Sequence, residues 1–180
     1  MSDKIFNVLF VCGRNSARSI MAEAILNHIG KGRFVAFSAG SLPEGQVHPF
    51  TFEQIQRASL PIEGLRSKNW KEFAAEGAPS FDFVFSLCKN TSLEMHPVWS
   101  GHPMSAYWEI DDPVLVDGSE EEMRAAFSKT FAQINWRISI FSNLQFAKLS
   151  ELALKNQLDD LGGDRRRLPR ADLDVLRGYY

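Results

Sequence analysis

Cys12 and Arg18 stand six positions apart, and the residues between them (Gly13, Arg14, Asn15, Ser16 and Ala17) are small or polar apart from one arginine. An apolar run, Ile5 to Val11, leads into Cys12, and a helix-like pattern opens at Ser19 with Ile20, Met21, Ala22 and Glu23. Strand, tight loop and helix N-terminus in that order turn backbone N–H groups inward, where they can hold a tetrahedral oxyanion. The guanidinium of Arg18 adds a planar fork able to grip two oxygens of the anion. Cys12 lies at the loop's mouth, where a positive field is expected to lower its pKa and favour the thiolate. A thiolate facing a bound oxyanion is a nucleophile with its target already in place. Gly13, Arg14, Asn15, Ser16, Ala17, Arg18 and Ser19 are therefore the candidate substrate-binding residues. A cysteine at a strand end is often plain core. The turn and capping residues Gly13, Asn15, Ser16 and Ser19 favour the anion loop instead.

Two further positions could complete such chemistry. Phe81 to Leu87 reads as a strand and ends at Cys88, and Met104 to Ile110 reads as another, followed directly by Asp111, Asp112 and Pro113. Ligands of parallel α/β sheets bind at the carboxyl ends of strands. Cys88 is either an inert core thiol or, if its strand neighbours the first, a second sulfur able to approach Cys12. Asp112 before proline is either ordinary turn chemistry or a carboxyl group poised for general acid work.

The elements that must position these residues can be read in order. Ile5 to Val11 is nearly continuous in its apolar character, as expected of a strand buried on both faces. Ser19 to Ile29 reads as a helix stopped by Gly30 and Gly32, and Arg33 to Ala39 as a second strand, which makes a right-handed βαβ unit. Phe50 to Ser59 reads as a helix and Trp70 to Ala75 as a short one. Ser119 is placed to cap a long helix whose first turn holds Glu120, Glu121 and Glu122. Met123, Phe127, Phe131, Ile134, Ile138 and Phe141 form its core stripe. A last helix is expected from Phe146 to about Leu161, broken by Gly162 and Gly163. The sum is an α/β three-layer sandwich around a four-stranded parallel sheet. One domain is expected over residues 1–161, with a C-terminal tail at 162–180 carrying Arg165, Arg166 and Arg167. That basic run is read as a solvated tail or small docking segment, because Asp172 and Asp174 follow it.

Composition narrows the function class. At 180 residues the chain can bury a real core, and its net charge of −2 implies no bulk attraction to nucleic acid or anionic membrane. Apolar runs are too short to span a bilayer, and the first strand follows Met1 so closely that no signal peptide fits, so a cytoplasmic location is expected. The two cysteines cannot form a disulfide framework, and the four histidines are scattered without ligand-like spacing, so no metal site is expected.

Beyond the loop, several segments carry a resemblance: Asn15-Ser16-Ala17-Arg18-Ser19 with Met21-Ala22-Glu23-Ala24, Ser38-Ala39-Gly40-Ser41, His48-Pro49 and Gly64-Leu65-Arg66-Ser67-Lys68. Pro97 to Pro103, Trp108 before Asp112-Pro113, and Arg137-Ile138-Ser139 extend it. Over roughly residues 5 to 150 the chain resembles the low-molecular-weight protein tyrosine phosphatases and, within that superfamily, its arsenate reductase branch. The resemblance implies a flavodoxin-like fold. It also implies a reaction in which Cys12 attacks arsenate held by the loop amides and Arg18, with Asp112 protonating the leaving oxygen. Cys88 then resolves the adduct, arsenite leaves, and glutathione, glutaredoxin or thioredoxin supplies the electrons; no bound cofactor is implied. The alternative is hydrolysis of a phosphotyrosine or aryl phosphate by Cys12, Arg18 and Asp112. Three positions depart from the branch pattern. Ala17 and His96 stand where many reductases have further cysteines, and Arg14 stands where a glycine is usual. A relay through three cysteines is thereby excluded. Arg14 either bends outward or strains a backbone position that wants positive φ.

Overall fold

A computed structural model describes residues 4–88 and 97–163. His96, the basic run and the rest of the expected tail beyond Gly163 lie outside the described residues. The elements are β1 (Phe6–Cys12), α1 (Arg18–Ile29), β2 (Phe34–Gly40), α2 (Pro49–Arg57), β3 (Phe83–Ser86), β4 (Met104–Tyr107), α3 (Glu120–Asn143) and α4 (Glu151–Gly162), with short 3₁₀ turns at Trp70–Phe73, Pro113–Leu115 and Phe146–Lys148. The four strands form one sheet in the order β2-β1-β3-β4, and every pairing is parallel. β1 and β3 are neighbours, the condition under which Cys88 can approach Cys12.

The alternation of side chains along β1 explains the layers. Val8, Phe10 and Cys12 face one core, shared with Ile20, Met21 and Ile25 of α1, Ile55 of α2, Ile134 and Phe141 of α3, and Leu158 of α4. Leu9 and Val11 face a second, thinner core with Trp70, Phe73, Phe81 and Trp99. On that side the cover is a 3₁₀ turn, not the short helix expected over 70–75, and aromatic bulk replaces helical length.

β4 stops at Tyr107, short of the expected Ile110, yet the chain stays laced to β3: Trp108 N donates to Ser86 O at 2.8 Å and Ile110 N to Leu87 O at 3.2 Å. This lacing carries Asp112 to the edge where β1 ends. Trp108 is fully buried, stacks on Phe85 at 4.0 Å between ring centroids, and donates its indole N–H to Leu158 O. Arg137 donates to Leu161 O, so two carbonyls near the end of α4 find side-chain partners. The single helix expected from Phe146 to Leu161 is two pieces, because Ser150 caps a fresh start by accepting from Ala153 N. The capping box of α3, Ser119 with Glu122, forms as its sequence implies.

Candidate active site

The loop from Cys12 to Arg18 joins β1 to α1 at the carboxyl edge of the sheet. Its carbonyls are tied from one side by the chain that follows β2. Ser41 N donates to Cys12 O, Leu42 N to Gly13 O, Glu44 N to Arg14 O, and His48 N with Thr51 Oγ1 to Ser16 O. A trans peptide sets each carbonyl antiparallel to the next residue's N–H, and no peptide bond here is cis. The N–H groups of Gly13, Arg14, Asn15 and Ala17 are thus turned the opposite way, into the loop. Asn15 N–H indeed reaches Cys12 Sγ at 3.3 Å.

Helix α1 begins one residue earlier than expected, at Arg18, and its N-cap is Ala17 with no capping side-chain hydrogen bond. Neither Ser16 nor Ser19 caps it, which corrects the capping role expected of them. Ser19 serves the sulfur instead, with Oγ 2.9 Å from Cys12 Sγ. Ser16 Oγ is buried without a hydrogen-bond partner. An uncapped helix start leaves its first N–H groups for an anion.

Asn15 is the conformational hinge of the loop. Its φ is 47°, in the left-handed region that asparagine tolerates better than most residues. Every polar atom of its side chain is engaged: Nδ2 donates to Ser19 Oγ at 2.8 Å and to Ser38 Oγ at 3.0 Å, and Oδ1 accepts from Lys68 N at 2.6 Å. Arg14 is not at positive φ; its side chain bends outward and pairs with Glu44 at 2.9 Å. The arginine in place of glycine therefore leaves the loop unstrained.

Arg18 is 6% exposed and crosses the site. Its guanidinium donates to Ile110 O at 3.0 Å and to Asp112 Oδ2 at 2.6 Å, while Asp112 Oδ1 accepts from Val114 N and caps the Pro113–Leu115 turn. Asp112 thus makes the turn and faces Arg18 at once. A cleft of about 110 Å³ opens beside it, lined by Pro113, Val116, Thr130 and Gln133 among others.

Cys12 departs from expectation in one respect. Burial pushes its thiol up from the ordinary value, outweighing the downward pull of the Arg18 charge and of the hydrogen bonds from Ser19 and Asn15. Cys12 is 2% exposed, and desolvation penalises the thiolate more than the loop's charge rewards it. His48, whose ring nitrogen caps α2 and which stacks on Phe127, is held below its usual range by burial, against the opposing pull of Glu44 and Asp112.

Cys88 lies two residues past Ser86, which pairs with Val11, so it leaves the sheet beside the point where β1 delivers Cys12. Cys88 is 9% exposed, and both cysteines belong to the core facing the helices. The register sets Val11 opposite Ser86, so Cys12 stands level with Leu87 and Cys88 follows one residue further along the chain. Among the described residues no cluster of potential ligands could hold a metal ion, and no helix is long and apolar enough to cross a membrane.

Sequence reasoning noted Lys68 and Gly40 only as parts of resembling segments and gave neither a role at the site. Gly40 closes β2 against the loop: a Cβ there would lie 2.6 Å from Gly13 O and 3.0 Å from Asn15 N, and backbone cannot yield as a flexible side chain can. Gly40→Ala is expected to cost roughly 1–3 kcal/mol of stability in urea unfolding. The displaced loop should also alter alkylation of Cys12 by iodoacetamide; an unchanged alkylation rate would contradict the tight contact.

A sheet of four parallel strands with a loop of inward-turned N–H groups after the first, closed by an arginine and faced by an aspartate, defines a phosphatase-type scaffold. Residues 7–153 match the low molecular weight phosphotyrosine protein phosphatase family, and the chain belongs to it. It is similar to the glutaredoxin arsenate reductase of Synechocystis sp., 33% identical over 116 residues that span 64% of this chain and 82% of the relative. The arsenate reductase of Shouchella clausii is 29% identical over 142 residues, 79% of this chain and 97% of that one. Among solved structures, an arsenate reductase in the phosphate binding state matches with a TM-score of 0.62 at 27% identity, covering 81% of this chain and 100% of its own.

Proposed function

We propose that the protein is an arsenate reductase that works through Cys12 and Cys88 and draws its electrons from an external thiol, glutathione with glutaredoxin or thioredoxin. The observation that carries this reading is the delivery of two thiols by neighbouring strands, one of them inside an anion loop. Hydrolysis needs only Cys12, Arg18 and Asp112; reduction also needs the second sulfur. The relatives named as arsenate reductases, one of them a glutaredoxin arsenate reductase, support it.

Atoms and electrons balance at each step. Arsenate enters the loop and takes the Arg18 fork, displacing the Asp112 carboxylate from it. The Cys12 proton passes, by way of the bound arsenate, to the displaced Asp112 carboxylate, and the sulfur attacks arsenic. One hydroxyl of arsenate departs as water with a proton from Asp112, which the adjoining cleft connects to solvent. Cys88, deprotonated, attacks the Cys12 sulfur. A sulfur–sulfur bond forms, the sulfur–arsenic electron pair stays on arsenic, and arsenic(V) leaves as arsenite. The external thiol then reduces the disulfide by exchange, its own sulfurs being oxidised.

Incubation with arsenate, glutathione and glutaredoxin, or with thioredoxin and its reductase, is expected to yield arsenite. A Cys12→Ser variant should yield none. Arsenite at only the variant's level with every donor would overturn the reading.

A further inference from the structure

Apart from Arg18 and Asp112, the ion pairs of the described residues expose at least one partner substantially, with one exception. Lys68 and Glu23 are 6% and 12% exposed at the side chain, and Nζ stands 3.1 Å from Glu23 Oε2. A buried pair of this kind gives little net stability, because desolvation offsets the attraction. Its place in the fold suggests what else it does.

The pair grips Asn15 from both ends of its amide. Lys68 N donates directly to Asn15 Oδ1. Lys68 Nζ, which also donates to Arg66 O, holds Glu23, and Glu23 Oε2 accepts from Ser38 Oγ in a short hydrogen bond. Donor counting fixes the direction of each link from Ser38 to Ser19. Ser38 spends its proton on the carboxylate, so it accepts from Asn15 Nδ2, and the second hydrogen of Nδ2 goes to Ser19 Oγ. Once Cys12 is a thiolate its sulfur carries no proton, so Ser19, which already accepts from Asn15, donates to Cys12 Sγ, 2.9 Å away.

We infer that the Lys68–Glu23 pair is a positioning device for the nucleophile, a tethered cation that orients the Asn15 amide and, through it, the Ser19 hydroxyl that supports the Cys12 thiolate. Lys68 touches neither the sulfur nor the anion loop's interior; it acts through Asn15. The inference rests on Cys12 being the nucleophile, and its readout is the reactivity of that thiol, so it can fail while arsenate reduction stands.

The test is the pH profile of Cys12 alkylation by iodoacetamide, with the labelled residue identified by peptide mass mapping. Lys68→Met should move the profile to higher pH and slow alkylation at neutral pH by roughly tenfold, the scale of one hydrogen bond to a charged group. In the arsenate assay kcat should fall while KM changes little. Lys68→Ala should regain part of the lost reactivity when ethylammonium is added, and tetramethylammonium, which cannot donate, should restore nothing. If Lys68→Met is too unstable to study, the Glu23→Gln/Lys68→Met double variant removes both charges and is expected to fold, still with the shifted profile. A folded variant whose alkylation profile coincides with that of the parent protein would overturn the proposal and leave the pair a purely structural contact.

Discussion

Replacing Cys88 by serine is expected to abolish release of arsenite while sparing the first chemical step. Cys12, Arg18, Asp112 and the loop are untouched by the change, so arsenate can still enter and be attacked. What is lost, in the proposed reaction, is the sulfur that forms the Cys12–Cys88 bond and leaves the electron pair on arsenic. A serine oxygen cannot replace it, because no sulfur–sulfur bond can form. The expected signature is arsenite at the level of the Cys12→Ser control, together with any aryl phosphate hydrolysis of the parent protein retained. Serine is slightly smaller than cysteine at a 9% exposed core position, so the fold should tolerate it. Undiminished arsenite production by Cys88→Ser would remove the second thiol from the mechanism. Loss of both activities would show that Cys88 serves the site's structure instead.

The largest effect on both stability and chemistry is expected from Arg18→Met. The substitution leaves the Asp112 carboxylate, 11% exposed at its side chain, without the counter-charge that now stands 2.6 Å away. Removing one partner of a buried pair costs about 3–5 kcal/mol, measurable as a shift of the urea midpoint. The chemistry suffers independently. Arg18 is the charge that pulls the Cys12 thiol down against the effect of burial. Its removal must move the alkylation profile further to higher pH, so that at neutral pH a smaller fraction of Cys12 is thiolate. The fork proposed to hold two oxygens of the anion is lost as well, and turnover should fall by at least roughly a hundredfold. An Arg18→Met/Asp112→Asn variant carries no orphaned charge and should regain stability without regaining activity. A single variant as stable and as reactive as the parent protein would contradict the role given to Arg18.

The parts of the site that were legible in the sequence are those set by local pattern. The apolar run before Cys12, the polar loop and the periodic helix after it specify strand, loop and helix through neighbouring residues alone, and β1 and α1 lie where that pattern puts them. Asp112 and Cys88 were singled out because apolar strand patterns run up to them, although the strands themselves stop earlier, at Tyr107 and Ser86. What the sequence could not reveal depends on distant contacts. Whether Arg14 strains the loop is decided by Glu44, thirty residues away in the chain, which draws the side chain outward. Lys68 gave no periodic or capping signal. Its importance arises from Asn15 and Glu23, which only the folded sheet edge brings to it. The thiol of Cys12 was expected to be lowered because the positive groups are visible in sequence, whereas the degree of burial that opposes them is a property of the packed core. The division between the Phe146–Lys148 turn and α4 did carry a local signal, the capping Ser150, which the apolar spacing of Leu149 and Leu152 obscured.

The arrangement of the two thiols makes one measurement decisive. The reduced protein is treated with arsenate in the absence of any external thiol, quenched with an alkylating reagent, digested and read by mass spectrometry. One Cys12–Cys88 disulfide should form per arsenite released, and only when arsenate is present; phosphate in its place should give none. Arsenite produced with both cysteines still alkylatable, or a disulfide that forms at the same rate without arsenate, would contradict reduction through this pair of strand ends.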